Sequence, residues 1–187
     1  MTASVVVRDA VAADVGDVAR IHVTTWRAAY AGLIDDTVLA GLTEEGYRTQ
    51  WGARLPASPP SFCLVALDGA DLVGFAAGGP SLDGDDAEGQ VYALYVDPAR
   101  WRGGAGRALL AAAEERLRET GSERGALWVL STNAPARSFY EACGWHADGR
   151  TRVESLHGTE LPVSSFVRRL ERGQRGVSRP AERPARD

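Results

Sequence analysis

The chain has 187 residues, enough for one domain with a substantial core. Hydrophobic residues make up 44% and charged residues 25%, the balance of an ordinary globular fold. A net charge of −4 supplies no strong field for recruiting nucleic acid or an anionic membrane, so neither partner is expected.

Val5–Arg8 is a short β-branched run and reads as a first strand. Asp14 is placed to cap a helix whose apolar face continues through Val18, Ile21, His22, Thr25, Trp26 and Ala29 and fades near Gly32. Asp35–Leu42 and Glu44–Leu55 read as two shorter helices, and Pro56–Ser61 breaks the chain. Phe62–Leu67 and Leu72–Gly78, joined through Asp68-Gly69, have the pattern of a hairpin. Gly79–Gly89 is polar and acidic, a loop. Gln90–Val96 is the next strand, Gly104–Thr120 a helix, Ala126–Leu130 a strand, and Ala134–Cys143 a helix with Pro135 tolerated in its first turn. Trp145–Arg152 and Thr159–Leu170 close the domain as two strands. The last segment, ERGQRGVSRPAERPARD, has Val177 as its one aliphatic residue beyond alanine and is expected to be a disordered Arg/Pro-rich tail, residues 171–187. This order of elements argues a single α/β domain over 1–170 with a mixed sheet.

Met1–Asp14 has no apolar core of a signal peptide, and no apolar run approaches about 18 residues, so the expected compartment is the cytoplasm. Cys63 and Cys143 make no disulfide framework, and His22, His146 and His157 show no ligand spacing, so no metal is expected.

The stretch VYALYVDPARWRGGAGRALLAAAEERL, Val91–Leu117, is where the chemistry gathers. A strand leads through a glycine-rich turn into a helix. A dinucleotide fingerprint fails because Leu109 stands at the third glycine and Asp97–Arg102 separates strand from loop; a nucleotide-triphosphate loop fails because Arg107-Ala108 follows Gly106. The physics still favours an anion: Arg102, Gly103, Gly104, Ala105, Gly106 and Arg107 offer successive backbone N–H groups at a helix start, with arginines nearby. A surface turn that uses glycine only for backbone freedom explains the same residues.

A second segment, WVLSTNAPARSFYEACGWHADG, Trp128–Gly149, carries a strand, an Asn, a Pro-Ala-Arg turn into a helix, Phe-Tyr, then Gly-aromatic. Together with LYVDPARWRGGAGRALL it resembles the GNAT superfamily of acetyl-coenzyme A-dependent N-acetyltransferases, over about Val5–Leu170. Gly104 and Gly106 fill the family's glycine positions; Asn133, Ala136, Phe139, Tyr140, Gly144 and Trp145 fill its second half. Trp101 departs from the Gln or Arg usual there. The resemblance implies a mostly antiparallel mixed sheet with splayed central parallel strands and helices on both faces. It implies acetyl-CoA as cosubstrate, an amine acceptor, direct acyl transfer without an acyl-enzyme, and allows a homodimer.

It also distributes roles. The backbone of Leu94, Tyr95 and Val96 would bond the pantetheine arm, with an N–H near Leu94 or Tyr95 polarising the thioester carbonyl. Arg102–Arg107 would hold the pyrophosphate, with Asn133, Ala136 and Phe139 beside the cofactor. Tyr140 would protonate the leaving thiolate, the other reading being a core aromatic. Asn133 would bond pantetheine or cap the helix after it. Gln90 stands where relatives often carry a base glutamate; Glu88, two residues away, is a base candidate or a solvated loop carboxylate. Trp26, Tyr30, Gln90 and Tyr92 are candidate acceptor contacts, with helix packing the plainer role for Trp26. His22 reads as a satisfied core or rim histidine. The acids Asp83, Asp85, Asp86 and Glu88 would draw a cationic amine to the acceptor mouth. Two rival functions remain on the sequence: a non-catalytic acyl-CoA sensor, or an interaction module with a Trp51, Trp101 and Trp145 surface.

Overall fold

The computed structural model describes residues 5–84, 88–156 and 158–170. The expected tail at 171–187 lies outside them, as do Asp85, Asp86 and His157. Seven strands form one sheet: β1 (Val6–Asp9), β2 (Phe62–Asp68), β3 (Asp71–Pro80), β4 (Glu88–Val96), β5 (Arg124–Leu130), β6 (His146–Leu156) and β7 (Thr159–Arg169), in the order β1-β2-β3-β4-β5-β7-β6. β4 and β5 pair in parallel and the other neighbours pair antiparallel.

One face carries α1 (Val15–Ala29), α2 (Asp36–Gly41) and α3 (Glu44–Gly52). α1 buries Val18, Ile21, His22, Thr25 and Trp26, spaced three and four apart, as the periodicity required. Asp14 does not cap α1 with its side chain. It accepts from the Val11 N–H (2.8 Å) and pairs both carboxylate oxygens with Arg8 of β1 (2.7 and 2.9 Å), pinning the start of α1 to the first strand. The Arg8 guanidinium holds that carboxyl below the usual range. α2 and α3 are capped by Asp35 (2.8 Å) and Thr43 (3.2 Å). The opposite face carries α4 (Ala105–Glu119) and α5 (Ala134–Ala142). Leu109, Leu110 and Leu117 are at most 1% exposed there, each contributing about 2 kcal/mol by burial.

The expected loop at Gly79–Gly89 is shorter than its polar composition suggested. β3 runs on to Pro80, and β4 begins at Glu88 because Glu88 and Gly89 pair with Arg124 and Gly125 of β5. That parallel pairing covers four residues and stops at Val91–Leu127. There a bulge intervenes: Val91 faces Gly78 while Ala93 faces Ala77, and Tyr92 is the extra residue. A bulge bends its strand, and past it β4 and β5 part.

Candidate active site

The gap between β4 and β5 is built by hydrogen-bond phase. The Asp97 N–H donates to the Val73 carbonyl (2.8 Å), and Tyr95–Phe75 and Ala93–Ala77 are paired in step with it. In an antiparallel ladder the alternate residues, Leu94 and Val96, then turn their backbone groups away from β3 into the gap. The Val96 carbonyl already accepts from the Thr25 hydroxyl (3.0 Å) and the Trp101 indole N–H (2.7 Å), which fills its two lone pairs. Leu94 is therefore the strand residue whose N–H and C=O both face the gap without that occupation. The main chain of Tyr95 is committed to β3, so its contribution is a side chain on the α1 face.

Beyond β4, Trp101 leads into Arg102 at φ 63°, then Gly103 and Gly104 at φ 91°, the N-cap of α4, which has no side-chain cap. The first helical bond runs from Ala108 to Gly104 (3.0 Å), so the N–H groups of Ala105, Gly106 and Arg107 project ahead of the ladder. That cradle fits an anion: uncapped donors, the positive end of a 15-residue helix, and exposed Arg102 and Arg107 beside it. Arg100 is committed elsewhere, to Asp68 and Asp71 (both 2.9 Å). A Cβ at Gly106 would meet the Phe139 ring at 3.4 Å, an ordinary van der Waals contact, so packing against α5 does not by itself require glycine there.

On the α1 face a cavity of about 930 Å³ opens beside the gap. Trp26, Tyr30, Tyr92 and Tyr95 line it, as do His22, Tyr47, Trp51 and Trp128. Tyr140 sits in the other layer, against Phe139, Trp145 and Phe166. Its phenol is buried there, and the Tyr95 phenol on the α1 side is within electrostatic reach of it. Burial pushes Tyr30 up to about 12 and raises Tyr95 and Tyr140 too, keeping all three protonated near neutrality. His22 accepts the Trp51 indole N–H at Nδ1 (3.1 Å) and stacks on Tyr47 with centroids 3.9 Å apart. Accepting at Nδ1 assigns a neutral ring's proton to Nε2.

Several sequence-selected residues lie apart from this centre. Glu88, weighed as a solvated loop carboxylate, is 2% exposed, and its Oε2 meets Arg124 (2.5 Å) and Arg150 (3.3 Å). Gln90 is buried outside the cavity lining, with its amide oxygen accepting from the Leu82 N–H (2.9 Å). The Tyr92 hydroxyl donates to the Pro80 carbonyl at the cavity rim (2.6 Å). Asn133 caps α5 by accepting from Ala136 (3.2 Å). Asp83 shares Arg152 with Glu154 and is bonded by the Trp128 indole (2.9 Å), and Glu88 faces two guanidiniums, so each carboxylate is already partnered. Trp51 and Trp145, 5% and 2% exposed, cannot form a partner surface with Trp101. The sequence reading missed Tyr47 and Trp51 as cavity walls, although their four-residue spacing on α3 was a usable signal.

The acetyltransferase (GNAT) family model matches residues 26–145, which spans β4, the glycine turn, α4, β5 and α5. Over 139 residues the chain is 34% identical to an uncharacterized N-acetyltransferase, YuaI, of Bacillus subtilis, covering 74% of this chain and 78% of that one. It is 30% identical over 168 residues to a probable N-acetyltransferase, Rv2775, of Mycobacterium tuberculosis, covering 83% and 88%. The PaiA N-acetyltransferase of Thermoplasma acidophilum, solved with coenzyme A, has the same fold, with a TM-score of 0.68 at 19% identity over 89% of this chain and 99% of that one. The parted parallel strands, the glycine-headed helix and the matching relatives place this chain in the GNAT acetyltransferase family.

Proposed function

We propose that the protein transfers the acetyl group of acetyl-CoA to a primary amine by direct attack. The observation that carries this reading is the arrangement of two features along one strand, the backbone of Leu94 turned into the β4–β5 gap and the uncapped N-terminus of α4 beyond it; the buried Tyr140 phenol of α5 is the acid this reading assigns.

Acetyl-CoA supplies an activated acyl group on a thiol leaving group. The N–H groups of Ala105, Gly106 and Arg107 hold its pyrophosphate, with Arg102 and Arg107 adding charge. Leu94 bonds the pantetheine arm as an added strand would. Its N–H also donates to the thioester oxygen as negative charge develops there. The amine enters from the cavity, past Trp26 and Tyr30. The C–N bond forms, the C–S bond breaks, and Tyr140 gives its proton to the sulfur. Tyr140 is protonated at neutral pH because burial raises its pKa, and it recovers the proton from water after release. Among the described lining residues the one carboxylate, Glu154, is bonded to Arg152 (2.5 Å), so the amine's own proton leaves through water. Glu88 takes no part as base, because it lies outside the lining and faces two guanidiniums.

Thermal melting with acetyl-CoA, CoA and NAD tests the cofactor. Saturation at 100 times Kd should stabilise the protein by about 2.7 kcal/mol. A shift with acetyl-CoA and CoA, and none with NAD, is expected. No shift with acetyl-CoA would remove the acetyltransferase reading.

A further inference from the structure

Trp101 is 47% exposed and belongs to neither hydrophobic layer of the core, yet its ring is anchored. The indole N–H donates to the Val96 carbonyl (2.7 Å), and the turn that carries it is braced on both sides. The Asp97 carboxylate accepts from the Ala99 N–H (3.0 Å) and from Arg20 of α1 (2.8 Å), and Arg100 pairs with Asp68 and Asp71 of the β2–β3 hairpin. An exposed tryptophan held this way has already lost much of the freedom that binding would otherwise remove.

Its position follows from the carbonyl it holds. Val96 turns that carbonyl toward the β4–β5 gap, two residues or about 7 Å along the strand from Leu94. The chain then passes Trp101 and reaches the N–H groups of Ala105, Gly106 and Arg107 at the start of α4. A cofactor with its thioester at Leu94 and its pyrophosphate at that cradle crosses the step made by Val96 and Trp101. The indole has one donor and the Val96 carbonyl takes it, so Trp101 offers the phosphates no hydrogen bond. What it offers is an apolar ring face. The same bond withdraws the Val96 carbonyl from the amides of the pantetheine arm, so at this step a ring contact stands in for a strand contact. In coenzyme A the segment beside the pyrophosphate on the thiol side is the pantoyl group, whose two geminal methyls match an apolar face.

We propose that Trp101 is a cofactor-binding side chain whose ring packs on the pantoyl methyls of coenzyme A. This rests on the acetyl-CoA reading above. The test uses the full chain, its Trp101→Phe and Trp101→Ala variants, and three probes: CoA, phosphopantetheine and ADP. Covering an exposed indole moves its emission to the blue, and subtracting the Trp101→Phe spectrum isolates Trp101 from the other tryptophans. The blue shift is expected with CoA and with phosphopantetheine. It is not expected with ADP, which carries adenine and pyrophosphate but no pantoyl group. In calorimetric titrations Trp101→Ala should weaken CoA about tenfold, the worth of roughly 50 Å² of apolar surface left uncovered. Trp101→Phe keeps a ring and should weaken it less, and ADP affinity should be unchanged by either variant. A Trp101-dependent shift with ADP, no such shift with phosphopantetheine, CoA affinity that Trp101→Ala leaves unchanged, or an equal loss for CoA and ADP would overturn the pantoyl contact. Should Trp101→Ala not fold, the spectra of the unmodified and Trp101→Phe proteins decide. Failure of CoA to bind the unmodified protein would strike the cofactor reading instead, so the two failures are distinguishable.

Discussion

The Tyr140 hydroxyl is one atom, and removing it should separate chemistry from binding. Its ring is held by Phe139, Trp145 and Phe166, and a phenylalanine keeps all three contacts. Tyr140→Phe should lower kcat by about 10²–10⁴, the range for loss of a positioned acid. The acetyl-CoA melting shift should stay within about 0.5 kcal/mol of the unmodified value, because the pyrophosphate cradle is elsewhere. An unchanged kcat would take Tyr140 out of the mechanism. This residue was legible in the sequence because the Asn-x-x-Ala-x-x-Phe-Tyr spacing places it about two turns past the α5 cap. Asn133 was legible only as two alternatives, of which the structure displays the cap. Glu88 was not legible. Its partners Arg124 and Arg150 lie on other strands, and local sequence marks a carboxylate beside acidic neighbours as solvated.

Among the elements, α4 places the greatest demand on one position. Gly104 sits at φ 91°, where a side chain is strained whatever space surrounds it. Gly104→Val should cost about 1–2 kcal/mol of stability through the left-handed backbone alone. It should also turn the first N–H groups of α4 out of line, so the loss of acetyl-CoA affinity should exceed the loss of stability. Melting with and without acetyl-CoA measures both, and an undiminished ligand shift would refute the anion cradle. Elements with their own periodicity were read from sequence almost to the residue: α1 from its buried stripe, α5 from its cap and proline, the β2–β3 hairpin from Asp68-Gly69. The starts of β4 and β5 were read two residues short, because Glu88-Gly89 and Arg124-Gly125 are poor strand formers that become strand by pairing with each other. The same pairing, ended by the Tyr92 bulge, creates the gap. A bulge depends on the register of two strands, which composition does not carry.

Across the fold, the buried acids with the highest pKa values are neutral ones, and that fixes how stability responds to alkali. Burial pushes the Cys63 thiol from 9.0 up to about 12 and the Tyr30 phenol from 10.0 up to about 12; Tyr95 and Tyr140 are raised as well. In the unfolded chain these groups return to ordinary values, so above about pH 9 the unfolded state binds fewer protons than the folded one. The sign follows: their contribution is complete below the unfolded pKa and is lost as pH rises toward the folded pKa. Each group removes about 1.4 kcal/mol per pH unit between its two pKa values. The urea midpoint should stay level from pH 7 to 9, begin to fall as Cys63 enters, and fall more steeply above 10 as the phenols join. Cys63→Val keeps an apolar side chain of similar size in the core and should move the onset up to about pH 10. A midpoint unchanged to pH 11, or an onset that Cys63→Val leaves in place, would show that these groups reach solvent in the native state. The alkaline response of the fold thus depends on one property, how fully packing keeps water from Cys63, Tyr30, Tyr95 and Tyr140.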